Sequence, residues 1–213
     1  MWRTLPCSNS EPNPMDSASY WDQRYLENQT GWDLNGPTPA LQAAIEGLPK
    51  TAFILIPGCG FGWDGEALWK KGYANVYLSD WAPSAKTAYL ERVPDFPPDQ
   101  FSSGDFFEWA TLKENQGKFD VVLECTFYCA IPPQRRLDYA AAMAQILKPG
   151  GRLMGVLFTF PLTEAGPPFG GSVEEYHDRF STPFALESMG ASPLSIPPRA
   201  DKEVFFCAKL QSL

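Results

Sequence analysis

Two stretches decide the fold: Thr51-Ala-Phe-Ile-Leu-Ile-Pro-Gly-Cys-Gly-Phe-Gly-Trp63, and after a short helical segment Asn75-Val-Tyr-Leu-Ser-Asp80. Ala52 to Ile56 run apolar without alternation, as a strand covered on both faces of a parallel sheet does. Gly58, Gly60 and Gly62 follow it directly and precede the helical Asp64 to Lys71, a context in which glycine lets backbone approach a nucleotide-like ligand. A dinucleotide fingerprint would place its third glycine at position 63, where Trp63 stands, and this argues against NAD. Asp80 ends the second strand at a spacing suited to accepting hydrogen bonds from both hydroxyls of a ribose; its plainer role is a strand-end or cap carboxylate.

Further elements follow in alternation. Pro83 to Arg92 reads as a helix opened by proline, Gln100 to Ser103 as a short strand and Phe119 to Glu124 as another strand. Pro133 to Leu147 carries apolar residues at helical spacing and is stopped by Lys148-Pro149-Gly150-Gly151. Arg152 to Phe160 is a buried strand, Val173 to Ser181 a helix, and Phe184 to Ser188 and Glu203 to Leu210 a final antiparallel pair on one edge. Alternating strands and helices imply a mainly parallel sheet with helices on both faces and ligands bound beyond the strand C-termini. Upstream, Ser19 to Glu27 and Ala40 to Leu48 have helical spacing. Residues 20–50 therefore form a helical cover on one domain, 20–213, preceded by a disordered tail, 1–19.

Composition narrows the function. The 213 residues suit one domain with an extension, and 44% hydrophobic residues exclude wholesale disorder. Seventeen Lys and Arg against 25 Asp and Glu leave a net charge of −8, which would repel a phosphate backbone or an anionic membrane surface. No apolar run reaches the roughly 20 residues of a membrane span, and no signal sequence opens the chain, so a cytoplasmic protein is expected. Five cysteines, Cys7, Cys59, Cys125, Cys129 and Cys207, lack C-x-x-C spacing, which disfavours a disulfide framework or a metal centre built with the sole histidine, His177.

Gly104-Asp105-Phe106-Phe107 follows the third strand, where an acid and aromatics suit an adenine amino group and ring or, more plainly, a core aromatic cluster. Glycines, a ribose acid and an adenine acid after successive strands form one ordered constellation. The chain resembles the thiopurine S-methyltransferase superfamily, including its thiol and halide methyltransferase branch. The resemblance is carried by Trp21 to Asp33 (W-D-Q-R-Y-L-E-N-Q-T-G-W-D), Pro57-Gly58-Cys59-Gly60, Gly104-Asp105-Phe106-Phe107, Phe119-Asp120, Thr126 to Ile131, Lys148-Pro149-Gly150-Gly151 and Gly166-Pro167-Pro168-Phe169. It spans about Tyr20 to the C-terminus.

The resemblance implies a Rossmann-like class I methyltransferase fold with a seven-stranded, mainly parallel α/β sheet and an antiparallel edge strand. It also implies S-adenosylmethionine as cofactor. By position it implies that Trp21, Tyr25 and Trp32 contact that cofactor from the cover, Gly58 at the loop and Asp80 at the ribose. Asp105 and Phe106 would flank the adenine and Cys125 would line the cofactor site. Tyr25 stands where the family usually has tryptophan, Trp81 where an aliphatic is usual, and Cys125 where tyrosine or arginine is usual. The expected acceptor is a small thiol, hydrosulfide, thiocyanate or halide, with an N, O or metalloid acceptor or an inactive binding module as alternatives. An anionic nucleophile needs positioning and desolvation rather than a general base, and no catalytic residue is assigned. Tyr128 and Phe127 are pocket candidates by position, with core packing as the plainer role; Arg135 and Arg136 could attract an anionic acceptor or, more plainly, form a solvated helix face, and His177 suits an exposed helix. A monomer is expected.

Overall fold

A computed structural model describes residues 17–164 and 166–211; Cys7 and most of the expected tail lie outside them. Ser17 caps the first helix, α1 (Ala18–Leu26), through its side chain, so the chain is already helical at positions assigned to the tail. A short α2 (Pro39–Ala44) follows, less than the expected helix to Leu48. Its N-terminus is held from α3 (Trp63–Lys70), where the Asp64 carboxylate accepts from the Thr38 backbone N–H at 2.9 Å, the Thr38 hydroxyl and the Gln42 amide.

The sheet begins at β1 (Ile54–Pro57), buried at every position, and continues with β2 (Val76–Asp80). Next come α4 (Pro83–Arg92), β3 (Phe101–Ser103), α5 (Phe106–Thr111), β4 (Phe119–Cys125), α6 (Arg136–Ile146) and β5 (Leu147–Phe158). The chain ends with α7 (Val173–Phe180), β6 (Phe184–Ala191) and β7 (Glu203–Leu210). Strand order is β3-β2-β1-β4-β5-β7-β6; the first five strands pair in parallel, and β7 runs antiparallel to both β5 and β6. The order reverses between β1 and β4, the switch point at which sheets of this kind bind ligands.

At three places the local structure adds to or departs from the expected elements. The aromatic run after Gly104 is a helix, α5, because the Asp105 side chain caps it, accepting from the Phe107 and Glu108 N–H groups. Pro133 to Arg135 form a separate 3₁₀ turn ahead of α6. Lys148 to Gly151 stop α6 as expected, but β5 starts at Leu147 rather than Arg152 and ends at Phe158 rather than Phe160, and these four residues are its bulged start: pairing with β4 shifts between Phe119 and Val121, and Gly150 takes φ +76°. A bulge tolerates Pro149 inside a strand, since no ladder hydrogen bond is needed there.

Each face of the sheet carries its own core. Tyr139, Met143, Phe180, Phe184 and Phe206 pack on the side of α5, α6 and α7, while Leu41, Ile45, Leu68 and Tyr89 pack on the side of α2, α3 and α4. Gly65 lets α3 lie close on the sheet, since a Cβ there would stand 2.6 Å from Leu78 Cδ2. That is the close-packing role a third fingerprint glycine performs elsewhere, two residues later in this chain. Trp63 itself donates to Asp33 and stacks under the Arg92 guanidinium, and it does not line the cavity described next.

Candidate active site

A cavity of about 380 Å³ opens at the C-terminal ends of the strands. Its floor is Gly58 after β1, Asp80 and Trp81 at β2, Gly104 to Phe107 after β3, and Thr126 and Phe127 after β4. Phe158 at the end of β5 and Pro167 and Pro168 ahead of α7 form one side; Trp21, Arg24, Tyr25 and Trp32 cover it from the N-terminal segment.

Asp80 is almost wholly buried and both its oxygens are engaged. Oδ1 accepts the Ala82 N–H at 3.0 Å; Oδ2 accepts the Gly60 N–H at 2.9 Å and the Tyr25 hydroxyl at 3.3 Å. Burial pushes its carboxyl above the usual range and those three donors pull against that shift. The arrangement fixes the carboxylate between the glycine loop and the cover. Gly58 has φ +56°, and a Cβ there would meet the Phe127 ring at 2.5 Å, so glycine serves both the turn and the approach of the β4 loop.

The cover is an aromatic cluster. Trp32 makes edge contacts to Trp21 at 5.7 Å and to Tyr25 at 5.6 Å, and Tyr25 packs on Phe61 at 5.2 Å. The Ser84 N–H donates to Asp22 at 2.8 Å and ties α1 to α4. On the opposite side, fully buried Arg136 anchors the loop bearing Pro167 and Pro168, donating to both Glu175 oxygens and to the carbonyls of Phe169 and Gly170.

Seven of the eight expected residues, Trp21, Tyr25, Trp32, Gly58, Asp80, Asp105 and Phe106, line this one cavity. Cys125 does not. As the last residue of β4 it turns toward α2 and α3, where Sγ lies 3.5 Å from the Thr38 hydroxyl and burial with the nearby Asp64 charge pushes the thiol up to about 11. The next residue, Thr126, has φ +63° and takes the lining position. Phe127 lines the cavity as expected, whereas Tyr128 packs into the core between Tyr139, Tyr176 and Phe180. The buried thiols of Cys59 and Cys129 are likewise pushed up, which leaves them protonated at neutral pH. His177 is exposed on α7, away from the lining residues.

Glu124, beneath the β4 loop, is fully buried. Oε1 accepts the N–H groups of Phe127 and Tyr128 at 2.9 Å each, Oε2 accepts the Tyr139 hydroxyl at 2.6 Å, and burial still pushes its carboxyl up to about 7. Sequence reasoning passed over this residue, as it did Arg24 and Arg199. Arg199 precedes β7, donates to the Trp32 carbonyl at 2.7 Å and lines the cavity. Of the adjacent pair, Arg135 reaches the cavity and stacks on Phe107 at 4.0 Å; Arg136 is the buried anchor.

The lining suits a nucleoside bearing an amino-acid arm. Asp105 Oδ1 caps α5, buried aromatic surface adjoins it, Asp80 presents a carboxylate at the switch point, and glycine backbone borders the floor. This sheet with its antiparallel β7 is the fold of S-adenosylmethionine-dependent methyltransferases. The solved 1,6-didemethyltoxoflavin-N1-methyltransferase of Burkholderia thailandensis, with bound S-adenosylhomocysteine, shares it at a TM-score of 0.74 and 17% identity, over 92% of this chain and 87% of that one. Residues 16–205 match the thiopurine S-methyltransferase family. Similar proteins include the "Probable thiol methyltransferase 2" of Arabidopsis thaliana, 32% identical over 88% of this chain and 83% of that one. Another is "Thiocyanate methyltransferase 1" of Brassica oleracea, 30% identical over 86% of this chain and 81% of that one. The chain belongs to the thiopurine S-methyltransferase family and is an S-adenosylmethionine-dependent methyltransferase. No helix among the described residues is long and apolar enough to cross a membrane.

Proposed function

We propose that the chain methylates a small anionic nucleophile, a thiolate, hydrosulfide, thiocyanate or halide, within the part of the cavity bounded by Phe158, Pro167, Pro168 and Arg199. The observation that carries this reading is Arg199. It lines the cavity beside apolar walls, and no carboxylate among the described residues lies within 4 Å of it. A guanidinium without an internal counter-ion attracts an anion and lowers the cost of removing it from water.

The residues present fit the cofactor. Asp80 would accept from the ribose hydroxyls, Asp105 and Phe106 would flank the adenine, Gly58 would give its backbone room, and Trp21, Tyr25 and Trp32 would close over it. When bound there, S-adenosylmethionine supplies an electrophilic methyl group on a sulfonium. Indole and phenol faces stabilise such a cation by about 0.5 to 2 kcal/mol per contact and exclude water. An acceptor that arrives as an anion has no proton to lose, which agrees with a lining whose carboxylates are the ribose and adenine acids and whose chain has its one histidine elsewhere. Small apolar walls then orient and desolvate it. In this reading the chain acts as a monomer.

The test is calorimetric titration with S-adenosylmethionine and S-adenosylhomocysteine, then analysis of methylated products from hydrosulfide, an alkyl thiol, an aryl thiol, thiocyanate and iodide. Turnover on a sulfur or halide acceptor is expected. Methylation confined to amine, hydroxyl or metalloid acceptors, or binding without turnover on any of them, would overturn the acceptor assignment.

A further inference from the structure

Seven arginines lie among the described residues, and five of them, Arg92, Arg135, Arg136, Arg152 and Arg179, have a carboxylate within 4 Å. The two that do not, Arg24 and Arg199, line the same cavity. In a chain of net charge −8, uncompensated guanidinium groups concentrated at one concave surface mark anion binding.

Arg24 shows the surroundings of its own guanidinium most clearly. It sits on α1 one turn after Tyr20, whose hydroxyl accepts from Nη1 at 3.2 Å. The guanidinium carbon stands 5.6 Å from the Tyr20 ring centre and 5.3 Å from that of Trp32, so two rings flank the group. Nε is buried with no hydrogen-bond partner. A buried donor left unpaired costs free energy that a ligand acceptor recovers. A planar fork held between rings is already ordered for a carboxylate or another compact monoanion.

We propose that Arg24 is an anion-binding residue of this cavity, its fork taking a compact monoanion. This rests on the methyltransferase reading for its two sources: the carboxylate of the cofactor's amino-acid arm, or the anionic acceptor itself.

The experiment compares the wild type with Arg24→Met, which keeps the apolar stem, and Arg24→Lys, which keeps the charge. Each is titrated calorimetrically with S-adenosylhomocysteine, with methylthioadenosine, which lacks the amino-acid arm, and with thiocyanate. If Arg24 holds the carboxylate, Arg24→Met weakens S-adenosylhomocysteine about 10- to 100-fold and leaves methylthioadenosine unchanged. If Arg24 holds the acceptor, both nucleosides bind as before and thiocyanate weakens by a similar factor. Arg24→Lys recovers part of either loss. Equal weakening of both nucleosides would make Arg24 a packing residue of the cover, and no change with any ligand would also overturn the proposal. A wild type that binds neither nucleoside would instead remove the cofactor reading, and the thiocyanate titration would still decide whether Arg24 binds anions.

Discussion

Replacing Glu124 with glutamine should remove a loss of stability that the wild type suffers as pH rises toward and through neutrality. In the folded protein this carboxyl is fully buried, and burial pushes it up to about 7 from the ordinary glutamate value of about 4.5. Between those two values the native state holds a proton that the unfolded chain has released, so stability falls as pH rises through the interval. The raised pKa thus disfavours the folded state at high pH, opposite in sign to a salt-bridged surface acid. Between pH 5 and pH 8 the group's contribution changes by about 2.5 kcal/mol in the direction of lower stability. Glutamine removes the titration and keeps the shape. Its carbonyl oxygen can accept the Phe127 and Tyr128 N–H groups, while its amide nitrogen can donate to the Tyr139 oxygen. Urea unfolding of wild type and variant at half-unit steps from pH 5 to pH 8 isolates the effect, because every other titrating group is common to both. The variant should gain on the wild type by about 2 to 3 kcal/mol across that range. A difference that stays flat would show that Glu124 does not titrate there. A difference of opposite sign would show that the charged form is the one the loop prefers.

Other expectations follow from the same geometry. Asp80→Ala strands the Gly60 and Ala82 N–H groups and the Tyr25 hydroxyl, so S-adenosylhomocysteine affinity should fall about 10-fold or more by calorimetry, with a lowered Tm; unchanged affinity would remove the ribose assignment. Gly58→Ala places a methyl against the Phe127 ring at a left-handed backbone position and should weaken cofactor binding, while Gly190→Ala on β6, where a Cβ meets nothing and the residue does not line the cavity, leaves it alone. Cys125→Ser and Cys129→Ser should retain turnover in a methyl-transfer assay within a few-fold, because neither buried, protonated thiol serves as a nucleophile; loss of activity in a folded variant would call for a covalent step.

How much of this was legible in the sequence depended on distance along the chain. The unalternating run at β1, the glycines behind it and the acid ending β2 are local signals set by strand burial and turn chemistry, and their placement held. The helix α5 has a signal of equal strength in Asp105, a capping residue before Phe106, but an aromatic run suits an adenine site or a core cluster as readily as a helix start. Lys148-Pro149-Gly150-Gly151 does stop α6, yet its residues go straight into β5 because a bulge accommodates proline and a left-handed glycine. Cys125 shows how narrow the margin is at a strand end. Successive side chains face opposite sides, so a one-residue difference separates the joint with α2 and α3 from the cavity, and Thr126 carries the lining role.

The charged groups were the least legible, for a physical reason. Arg135 and Arg136 are adjacent and chemically alike, and an amphipathic pattern assigns both to a solvated face. What separates them is a partner 39 positions away, Glu175, which lets Arg136 be buried while Arg135 stays at the cavity edge. Arg199 meets the cover only through the Trp32 carbonyl, 167 positions earlier in the chain, and no periodicity reports such a contact. A burial pattern follows from local spacing, but whether a charge is neutralised follows from the whole fold. The uncompensated pair, Arg24 and Arg199, therefore emerges only when every other described arginine has been matched with its acid. Removing both positive charges should abolish the salt-sensitive part of anion binding and leave the fold intact. Thiocyanate titration of the double variant Arg24→Met, Arg199→Met at two ionic strengths measures this directly. Residual affinity that still falls with added salt would locate the anion site with Arg135 instead.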